Sequence, residues 1–202
     1  MFIALFGKIA SGKSAAVAYF KSKGFYTIDL DALARELVSP QSPTLQVLAD
    51  TFGADLIDAK GTLNRSLLAE RSFDSAEHTE TLNHIMHQRI RELFLERLTE
   101  LKRMHPDERL KLLVEVPLPD KAGWILDMAD ICLYISCPKD LRLKHARERG
   151  MSEKDFLQRD SRQASEHTYM SLASDIIENY GNKEEYIKKL ETWAKKKFES
   201  KL

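Results

Sequence analysis

The stretch that decides the fold is Gly7-Lys8-Ile9-Ala10-Ser11-Gly12-Lys13-Ser14, near the start of the chain. It fits the pattern G-x-x-x-x-G-K-[ST] of a phosphate-binding loop. The apolar run 2–6 before it predicts a buried strand, and residues 14–23 after it have the spacing of a helix. A loop between a strand and a helix directs backbone N–H groups at one place, where phosphate oxygens can bind. The stretch therefore predicts a protein that binds a nucleoside triphosphate.

The side chains of this loop have separate expected roles. Lys13 is expected to reach the β- and γ-phosphates, and the Ser14 hydroxyl is expected to hold Mg²⁺. Gly12 lets the backbone pass close to the ligand. The alternative is a glycine turn with a solvated lysine, and the strand and helix predicted on either side of the loop argue against it.

Short apolar runs alternate with helical patterns along the rest of the chain. Further strands are predicted at residues 25–28, 110–116, 131–135 and 175–178. The longest helix is predicted from Ala76 to about Arg103, and the first helix is expected to turn Ala15, Ala18 and Tyr19 towards the core. Such alternation is typical of an α/β fold with a mostly parallel sheet covered by helices on both faces.

The composition excludes several classes of protein. Of the 202 residues 43% are hydrophobic, which excludes a disordered or fibrous chain, and 31 basic residues balance 31 acidic ones. That balance argues against a protein that coats nucleic acid, because such binding needs a surplus of lysine and arginine. The presence of only two cysteines, Cys132 and Cys137, argues against a secreted fold stabilised by disulfides.

The chain is also expected to work in the cytoplasm and away from membranes. No apolar run approaches the roughly 18 residues of a membrane span, and residues 1–14 lack the layout of a secretion signal. The expected partner is therefore a small-molecule substrate, with neither nucleic acid nor a membrane involved.

The kind of phosphate-binding protein follows from other motifs. A GTPase would carry D-x-x-G after a strand and N-K-x-D later in the chain. The near match at 58–61 follows no convincing strand, and the one at 182–185 lacks the aspartate that binds guanine. We therefore favour a small-molecule kinase, which needs a base on the acceptor side and cationic groups around the transferred phosphoryl group.

A carboxylate suited to that base follows the predicted second strand. Asp29 and Asp31 lie at the C-terminal end of this strand, at the edge where open parallel sheets bind their ligands. Asp31 is either a helix N-cap or a carboxylate that accepts a proton from a substrate hydroxyl. Arg35 lies four residues later on the same helix face, so it would either hold a substrate phosphate or pair with Asp31.

Longer motifs show a resemblance to a known family. Residues 28–35, IDLDALAR, resemble the run I-D-[AC]-D-x-x-[AS]-R that follows the phosphate-binding loop in dephospho-coenzyme A kinases. Further similar runs occur in the order and spacing of that family, almost from one end of the chain to the other. They are GTLNR at 61–65, LNHIMHQRIR at 82–91, EVPL at 115–118, Arg159 with Gln163, and ASDIIENYG at 173–181.

The resemblance implies an enzyme that transfers the γ-phosphoryl group of ATP to the ribose 3′-hydroxyl of dephospho-CoA, the last step of coenzyme A synthesis. It implies ATP and Mg²⁺ as ligands, with Ser14 on the metal, Asp31 as general base, and Lys13 and Arg149 as further catalytic residues. The implied ATP-binding residues are Gly7, Ala10, Ser11, Gly12, Lys13, Ser14, Ala15, Arg142, Asn179 and Gly181. The implied lid charges are Arg142, Arg147 and Arg149. The implied acceptor-binding residues are Asp31, Arg35, His87 and Arg91, and for His87 a packing role stays equally open.

The resemblance also implies a three-layer P-loop NTPase fold with a five-stranded parallel sheet, an inserted helical substrate region and a small lid. The whole chain, 1–202, is expected to form one kinase domain. Its core would comprise 1–40, 108–138 and 168–202, its helical substrate-binding insert 41–107, and its lid 139–167. The expected state is a monomer or a weak homo-oligomer.

The chain departs from the family's usual runs at several positions. Lys8 and Ala10 replace loop glycines, and Lys8 adds a charge beside the phosphates. Ala15 lacks a hydroxyl that often touches the α-phosphate. Residues 119–121, PDK, stand where the family has L-[FI]-E, so an apolar wall has become polar. Two alternatives therefore stay open: a kinase for another small hydroxyl or nucleotide acceptor, and a nucleotide-binding regulator that has lost turnover.

Overall fold

The chain folds into two compact units. The computed structural model describes residues 1–106 and 109–199. One unit comprises Met1–Asp29 together with Arg109–Leu202, and the other comprises Leu30–Glu108. The division into core, insert and lid stays a prediction, and its boundary between residues 107 and 108 lies outside the described residues.

A parallel sheet of five strands forms the centre of the first unit. The strands are β1 (Phe2–Phe6), β2 (Tyr26–Asp29), β3 (Leu112–Glu115), β4 (Ile131–Ser136) and β5 (Asp175–Glu178). Their order across the sheet is β2-β3-β1-β4-β5, so β1 is the central strand. The register places Ile3 of β1 between Leu113 of β3 and Ile131 of β4. The predicted five-stranded parallel sheet is confirmed, with strand ends shifted by at most two residues.

Helices connect the strands and build the second unit. In chain order they are α1 (Lys13–Ser22), α2 (Leu30–Leu37), α3 (Pro43–Phe52), α4 (Arg65–Ser72), α5 (Ala76–Met104), α6 (Gly123–Met128), α7 (Lys139–Glu148), α8 (Glu153–Ser161), α9 (Glu166–Leu172) and α10 (Lys183–Glu199). Within residues 1–106 and 109–199, none of them combines the length and the apolar character needed to cross a membrane.

Both faces of the sheet are covered by helices, which gives the three predicted layers. Successive residues of a strand point to opposite faces, so Leu5 and Phe6 lie on different sides of the sheet. On one side Leu5 packs with Phe20 of α1 and Leu190 of α10. On the other side the ring of Phe6 packs edge to face against the ring of Tyr169 in α9, and the two ring centroids are 6.1 Å apart. The α/β fold class is therefore confirmed.

The buried face of α1 differs from the expectation. Tyr19 and Phe20 are buried with Ala16, whereas Ala15 is half-buried and Ala18 is exposed. The prediction that Ala18 faces the core is wrong. The two aromatic rings decide which face is buried, because they have far more apolar surface to remove from water than a methyl group has.

The second unit has its own apolar core. Leu45, Leu48 and Phe52 of α3 pack together there, and partly buried side chains of α5 pack against them. Fully burying one leucine stabilises a fold by about 1.5–3 kcal/mol. Helix α3 begins at Pro43 after Ser42, whose Oγ accepts a hydrogen bond from the Thr44 N–H at 3.2 Å. The long helix α5 ends one residue beyond its predicted end.

Candidate active site

The phosphate-binding loop connects β1 to α1 and requires glycine at position 12. Gly12 has a φ of 104°, in the left-handed region that residues with a Cβ rarely adopt. A Cβ on Gly12 would also lie 2.5 Å from Nδ2 of Asn179. The first turn of α1 follows directly and contains Lys13, Ser14 and two alanines, so no acid in this turn offsets the positive end of the helix dipole. This geometry suits an anion.

The side chains of the loop fit a phosphate group. Nζ of Lys13 donates hydrogen bonds to the carbonyl oxygens of Gly7 at 2.8 Å and of Lys8 at 3.2 Å. The Ser11 hydroxyl is buried, and nothing in the described parts of the chain forms a hydrogen bond with its Oγ. A buried polar atom without a partner costs roughly 1–3 kcal/mol, which a bound phosphate oxygen would recover. The Ser14 side chain is exposed beside the loop.

A cavity of about 510 Å³ lies beside the loop, within the first unit. This volume is typical of small-molecule sites. Gly12 and Ala15 line it from the loop and α1, Arg149 from the end of α7, and Asn179 and Gly181 from the segment after β5. Five residues predicted for the ATP side of the site therefore share one cavity.

Two residues that follow β5 in the chain hold the loop in place. Asn179 is only 6% exposed, and its Nδ2 donates a hydrogen bond to the Ser11 carbonyl oxygen at 2.9 Å. The hydroxyl of Tyr186 donates to the Gly12 carbonyl oxygen at 3.3 Å. Burial raises the pKa of Tyr186, so its hydroxyl stays protonated and able to donate. The loop is thus bonded through side chains to the segment that follows β5 and to α10.

The three arginines predicted as lid charges lie in different surroundings. Arg149 lines the cavity beside the loop. Arg147 is exposed and pairs with Glu153 on α8. Arg142 is only 4% exposed and points into the interior of the first unit. Of these three side chains, Arg149 is therefore the one that lies on the cavity.

Arg142 forms a buried ion pair with Asp160. Its Nη1 donates to Oδ1 of Asp160 at 2.6 Å, and its Nε donates to the Cys137 carbonyl oxygen at 3.1 Å. Burial alone would raise the pKa of Asp160, but the hydrogen bond and charge of Arg142, together with Lys8, lower it below its usual range. The carboxylate is therefore charged at neutral pH and holds Arg142 inside the fold.

The residues predicted for the acceptor all lie in the second unit. Asp31 and Arg35 are on α2, and His87 and Arg91 are on α5, which packs against α2. All four side chains are exposed. Asp31 is the second residue of α2, within its first turn, and is therefore not the N-cap residue.

Sequence reasoning missed further contacts to the loop. Nδ1 of His145 lies 3.2 Å from the Ala10 carbonyl oxygen, and the Ile9 N–H donates to Oε1 of Gln163 at 2.7 Å. Gln163 belongs to a motif of the family but had no predicted role, and His145 stood out in no pattern. These partners lie more than 130 residues from the loop in the chain, so no local spacing relates them to it.

The fold and the site together define a P-loop nucleotide-binding protein of the kinase type. This class is set by the order of the parallel strands, by the glycine-containing loop after the central strand, and by the cavity beside that loop. The family model described as Dephospho-CoA kinase matches residues 1–185. The chain therefore belongs to the dephospho-CoA kinase family, a family of phosphotransferases that use ATP.

Individual relatives agree with this assignment. The dephospho-CoA kinase of Corynebacterium diphtheriae is 36% identical over 183 residues, which cover 90% of each chain. That of Corynebacterium jeikeium is 34% identical over 191 residues, 94% of this chain and 95% of the relative. The crystal structure of TT1252 from Thermus thermophilus superposes with a TM-score of 0.80 at 26% identity, covering 98% of this chain and 97% of that chain.

Proposed function

We propose that the protein transfers the γ-phosphoryl group of ATP to the 3′-hydroxyl of dephospho-CoA, which yields coenzyme A and ADP. The observation that carries the proposal is the family match over residues 1–185, which includes both the phosphate-binding loop and the acceptor motif at 28–35. In the reaction a bond forms between the 3′-oxygen and the γ-phosphorus. The bond from that phosphorus to the oxygen bridging the β-phosphate breaks, and ADP leaves.

The donor half of this proposal rests on the loop and the cavity. The triphosphate would bind at the loop N–H groups and Lys13, and the adenine would lie in the cavity bordered by Asn179 and Gly181. Arg149, on the same cavity, would neutralise charge on the phosphoryl group during transfer. Mg²⁺, when bound, neutralises charge on the β- and γ-phosphate oxygens, and the exposed hydroxyl of Ser14 would hold it.

The acceptor half rests on the second unit. The carboxylate of Asp31 would accept the proton of the 3′-hydroxyl as that oxygen attacks the γ-phosphorus. Arg35 and Arg91 would bind the anionic groups of the acceptor, with His87 beside them. The exposure of all four side chains on two packed helices supports this assignment.

An acceptor assay tests the proposal. ADP release would be followed with dephospho-CoA, AMP, adenosine and buffer alone, and the product would be identified by mass spectrometry. We expect turnover with dephospho-CoA well above the ATPase background and a product carrying one additional phosphate on the ribose. Turnover only with AMP or adenosine would instead indicate a kinase for another acceptor, and ATP binding without any transfer would indicate a regulator.

One observation favours keeping a different acceptor in the assay. Residues Pro119–Lys121 form a short 3₁₀ turn, and Oδ1 of Asp120 is buried there with no hydrogen-bond partner among the residues described. A carboxylate oxygen at this position would accept a hydrogen bond from a ligand that carries a donor, which the apolar residue usual in the family would not do. The assay with several acceptors shows whether this departure from the family pattern changes which acceptor is used.

A further inference from the structure

Side chains of one distant segment hold three consecutive residues of the phosphate-binding loop. The segment runs from α7 through α8 to Gln163. Nζ of Lys8 lies 3.3 Å from Oδ1 of Asp160. The Ile9 carbonyl oxygen accepts a hydrogen bond from Nη1 of Arg142 at 3.3 Å, and the Ile9 N–H donates to Oε1 of Gln163 at 2.7 Å. Nδ1 of His145 lies 3.2 Å from the Ala10 carbonyl oxygen. Both helices therefore contribute side chains that set the shape of the loop.

Asp160 is the centre of these contacts. Its Oδ1 lies 2.6 Å from Nη1 of Arg142 and 3.3 Å from Nζ of Lys8, and its Oδ2 lies 3.8 Å from Nζ of Lys139. The Lys8 and Asp160 side chains are only 11% and 10% exposed. Removing such ions from water is costly unless they are paired, so the charge of Lys8 ties the loop to Asp160.

The loop needs support from outside because of Ala10. This residue has a φ of 60°, in the left-handed region, where a Cβ crowds the backbone. Non-glycine residues persist in that region when surrounding contacts over-determine the conformation. The contacts of Lys8, Ile9 and the Ala10 carbonyl oxygen fix the two residues before Ala10 and Ala10 itself.

We infer that Lys8 and Asp160 are positioning residues, whose ion pair holds the phosphate-binding loop against α7 and α8 and thereby sets the affinity for ATP. A loop that already has its binding shape loses less conformational freedom when the triphosphate binds. Because the pair acts by fixing the shape of the loop, we expect it to change the affinity for ATP and not the rate of the transfer step. The inference deepens the proposed function and rests on it for the identity of the nucleotide.

The test compares Lys8→Met, which removes the charge and keeps an apolar stem, with Lys8→Arg, which keeps the charge. Lys195→Met, at an exposed position of α10, is the matched control. Affinity for ATP is measured by calorimetric titration without acceptor, and hydrogen exchange of the loop amides is measured without nucleotide. For Lys8→Met we expect a Kd for ATP raised about 5- to 20-fold, which lies within the range for one coupled ion pair, and faster exchange of the loop amides. KM for ATP should rise in parallel while kcat stays within about 2-fold.

Lys8→Arg and Lys195→Met should both keep an ATP affinity and a loop hydrogen exchange close to those of the original protein. The pairing itself is tested by Lys8→Met in an Asp160→Asn background, where we expect no additional loss of ATP affinity. An equal loss in that background would show that Lys8 binds the phosphates directly, and would overturn the inference.

Asp160→Asn deprives buried Arg142 of its partner and so endangers folding. If that variant does not fold, the single variants decide: unchanged ATP affinity and unchanged loop exchange in Lys8→Met contradict the inference. Because ATP affinity is measured without acceptor, a protein that binds ATP but does not phosphorylate dephospho-CoA contradicts only the proposed function. A protein that binds no ATP contradicts both.

Discussion

At the scale of single residues, Gly12 is constrained by its backbone and by its surroundings at once. Its φ of 104° disfavours any side chain, and the space where a Cβ would lie is occupied by the amide of Asn179. That amide in turn bonds to the Ser11 carbonyl oxygen. A side chain at position 12 would therefore strain the loop and also push away one of the groups that hold it.

Gly12→Ala should lower the free energy of unfolding by at least about 1–2 kcal/mol and weaken ATP binding by ~10-fold or more, since backbone strain and displacement of Asn179 act together. Urea unfolding and ATP titration measure the two effects. Gly24→Ala is the matched control, because Gly24 has a φ of 81° but nothing within 4 Å of a Cβ. Gly24→Ala should lower the free energy of unfolding through backbone strain and bind ATP with unchanged affinity. Equal effects of both variants on ATP binding would show that the Asn179 contact is unimportant.

Asp31→Asn should lower kcat by ~100-fold or more and leave the Kd for ATP within about 2-fold, because an amide cannot accept the proton of the substrate hydroxyl. Steady-state kinetics and ATP titration separate the two effects. Asp50→Asn, at an exposed acid of α3, should leave both unchanged. A normal kcat in Asp31→Asn would mean that this carboxylate only stabilises the first turn of α2.

Some site residues could be found from sequence and others could not. The loop from Gly7 to Ser14 is a local pattern, so its position between β1 and α1 follows from spacing alone. The partner of Arg142 was not predictable, because Asp160 lies 18 residues away on another helix and the pairing depends on how α7 and α8 pack. Arg142 was expected on the ATP phosphates, a role that stays a prediction beside its observed buried pair.

At the scale of elements, continuous apolar runs and the long helical period predicted the structure well, whereas three short helices were not predicted. All five strands and the long helix α5 lie within two residues of their predicted bounds, because each contains a sustained apolar run or period. Helices α4, α6 and α9 were not predicted. Each has only six to eight residues, and α6 and α9 each bury one large apolar side chain, Ile125 and Tyr169. A single apolar residue gives no periodicity in the sequence, so the packing of the folded chain determines that these segments are helical.

The start of α3 offers a test at this scale. Oγ of Ser42 accepts from the Thr44 N–H at 3.2 Å and donates to the Leu37 carbonyl oxygen at 2.5 Å, so it links the start of α3 to the end of α2. Ser42→Ala should lower the free energy of unfolding by about 1–2 kcal/mol in urea titrations. Ser39→Ala removes an exposed hydroxyl that donates a hydrogen bond to the Glu36 carbonyl oxygen, and should cost less than about 0.5 kcal/mol. Similar losses in both variants would contradict the capping role of Ser42.

At the scale of the whole molecule, the balanced net charge conceals charges that are strongly paired inside the first unit. Besides Asp160, Asp175 accepts hydrogen bonds from Nζ of Lys197 at 2.7 Å and Nε1 of Trp193 at 3.0 Å. Burial alone would raise the pKa of Asp175, but these bonds lower it. A monomeric or weakly associated state stays a prediction.

These pairs make stability depend on acid. A carboxyl whose pKa is lowered by folding stabilises the protein above its unfolded pKa, about 3.9, and loses that contribution as pH falls through the lower folded value. The urea midpoint should therefore be nearly constant from pH 7 to about 5 and fall steeply below about 4. Asp175→Asn should lower the midpoint at pH 7 and make the acid dependence shallower, while Asp50→Asn should leave the profile unchanged. An unchanged acid slope in Asp175→Asn would show that this pair does not contribute.

Nucleotide binding should raise the melting temperature of the molecule. ATP at 100 times its Kd stabilises the folded state by about 2.7 kcal/mol, which for a chain of this size is roughly 5–11 °C in Tm. Differential scanning calorimetry with and without ATP measures the shift. Lys13→Ala should fold normally without ATP and show a much smaller shift, whereas Lys195→Met should keep it. A full shift in Lys13→Ala would contradict the assignment of Lys13 to the phosphates.

The strand order also determines when the sheet can form during synthesis. The central strand β1 pairs with β3 and β4 and not with β2, so its first partner, Leu112–Glu115, emerges from the ribosome roughly 100 residues later. At about 5–20 residues per second, β1 waits roughly 5–20 s for that partner. Meanwhile the locally connected helices of Leu30–Glu108 are already complete and can pack with one another. The apolar run that opens the chain is therefore the segment that most needs protection from aggregation while the protein is being made.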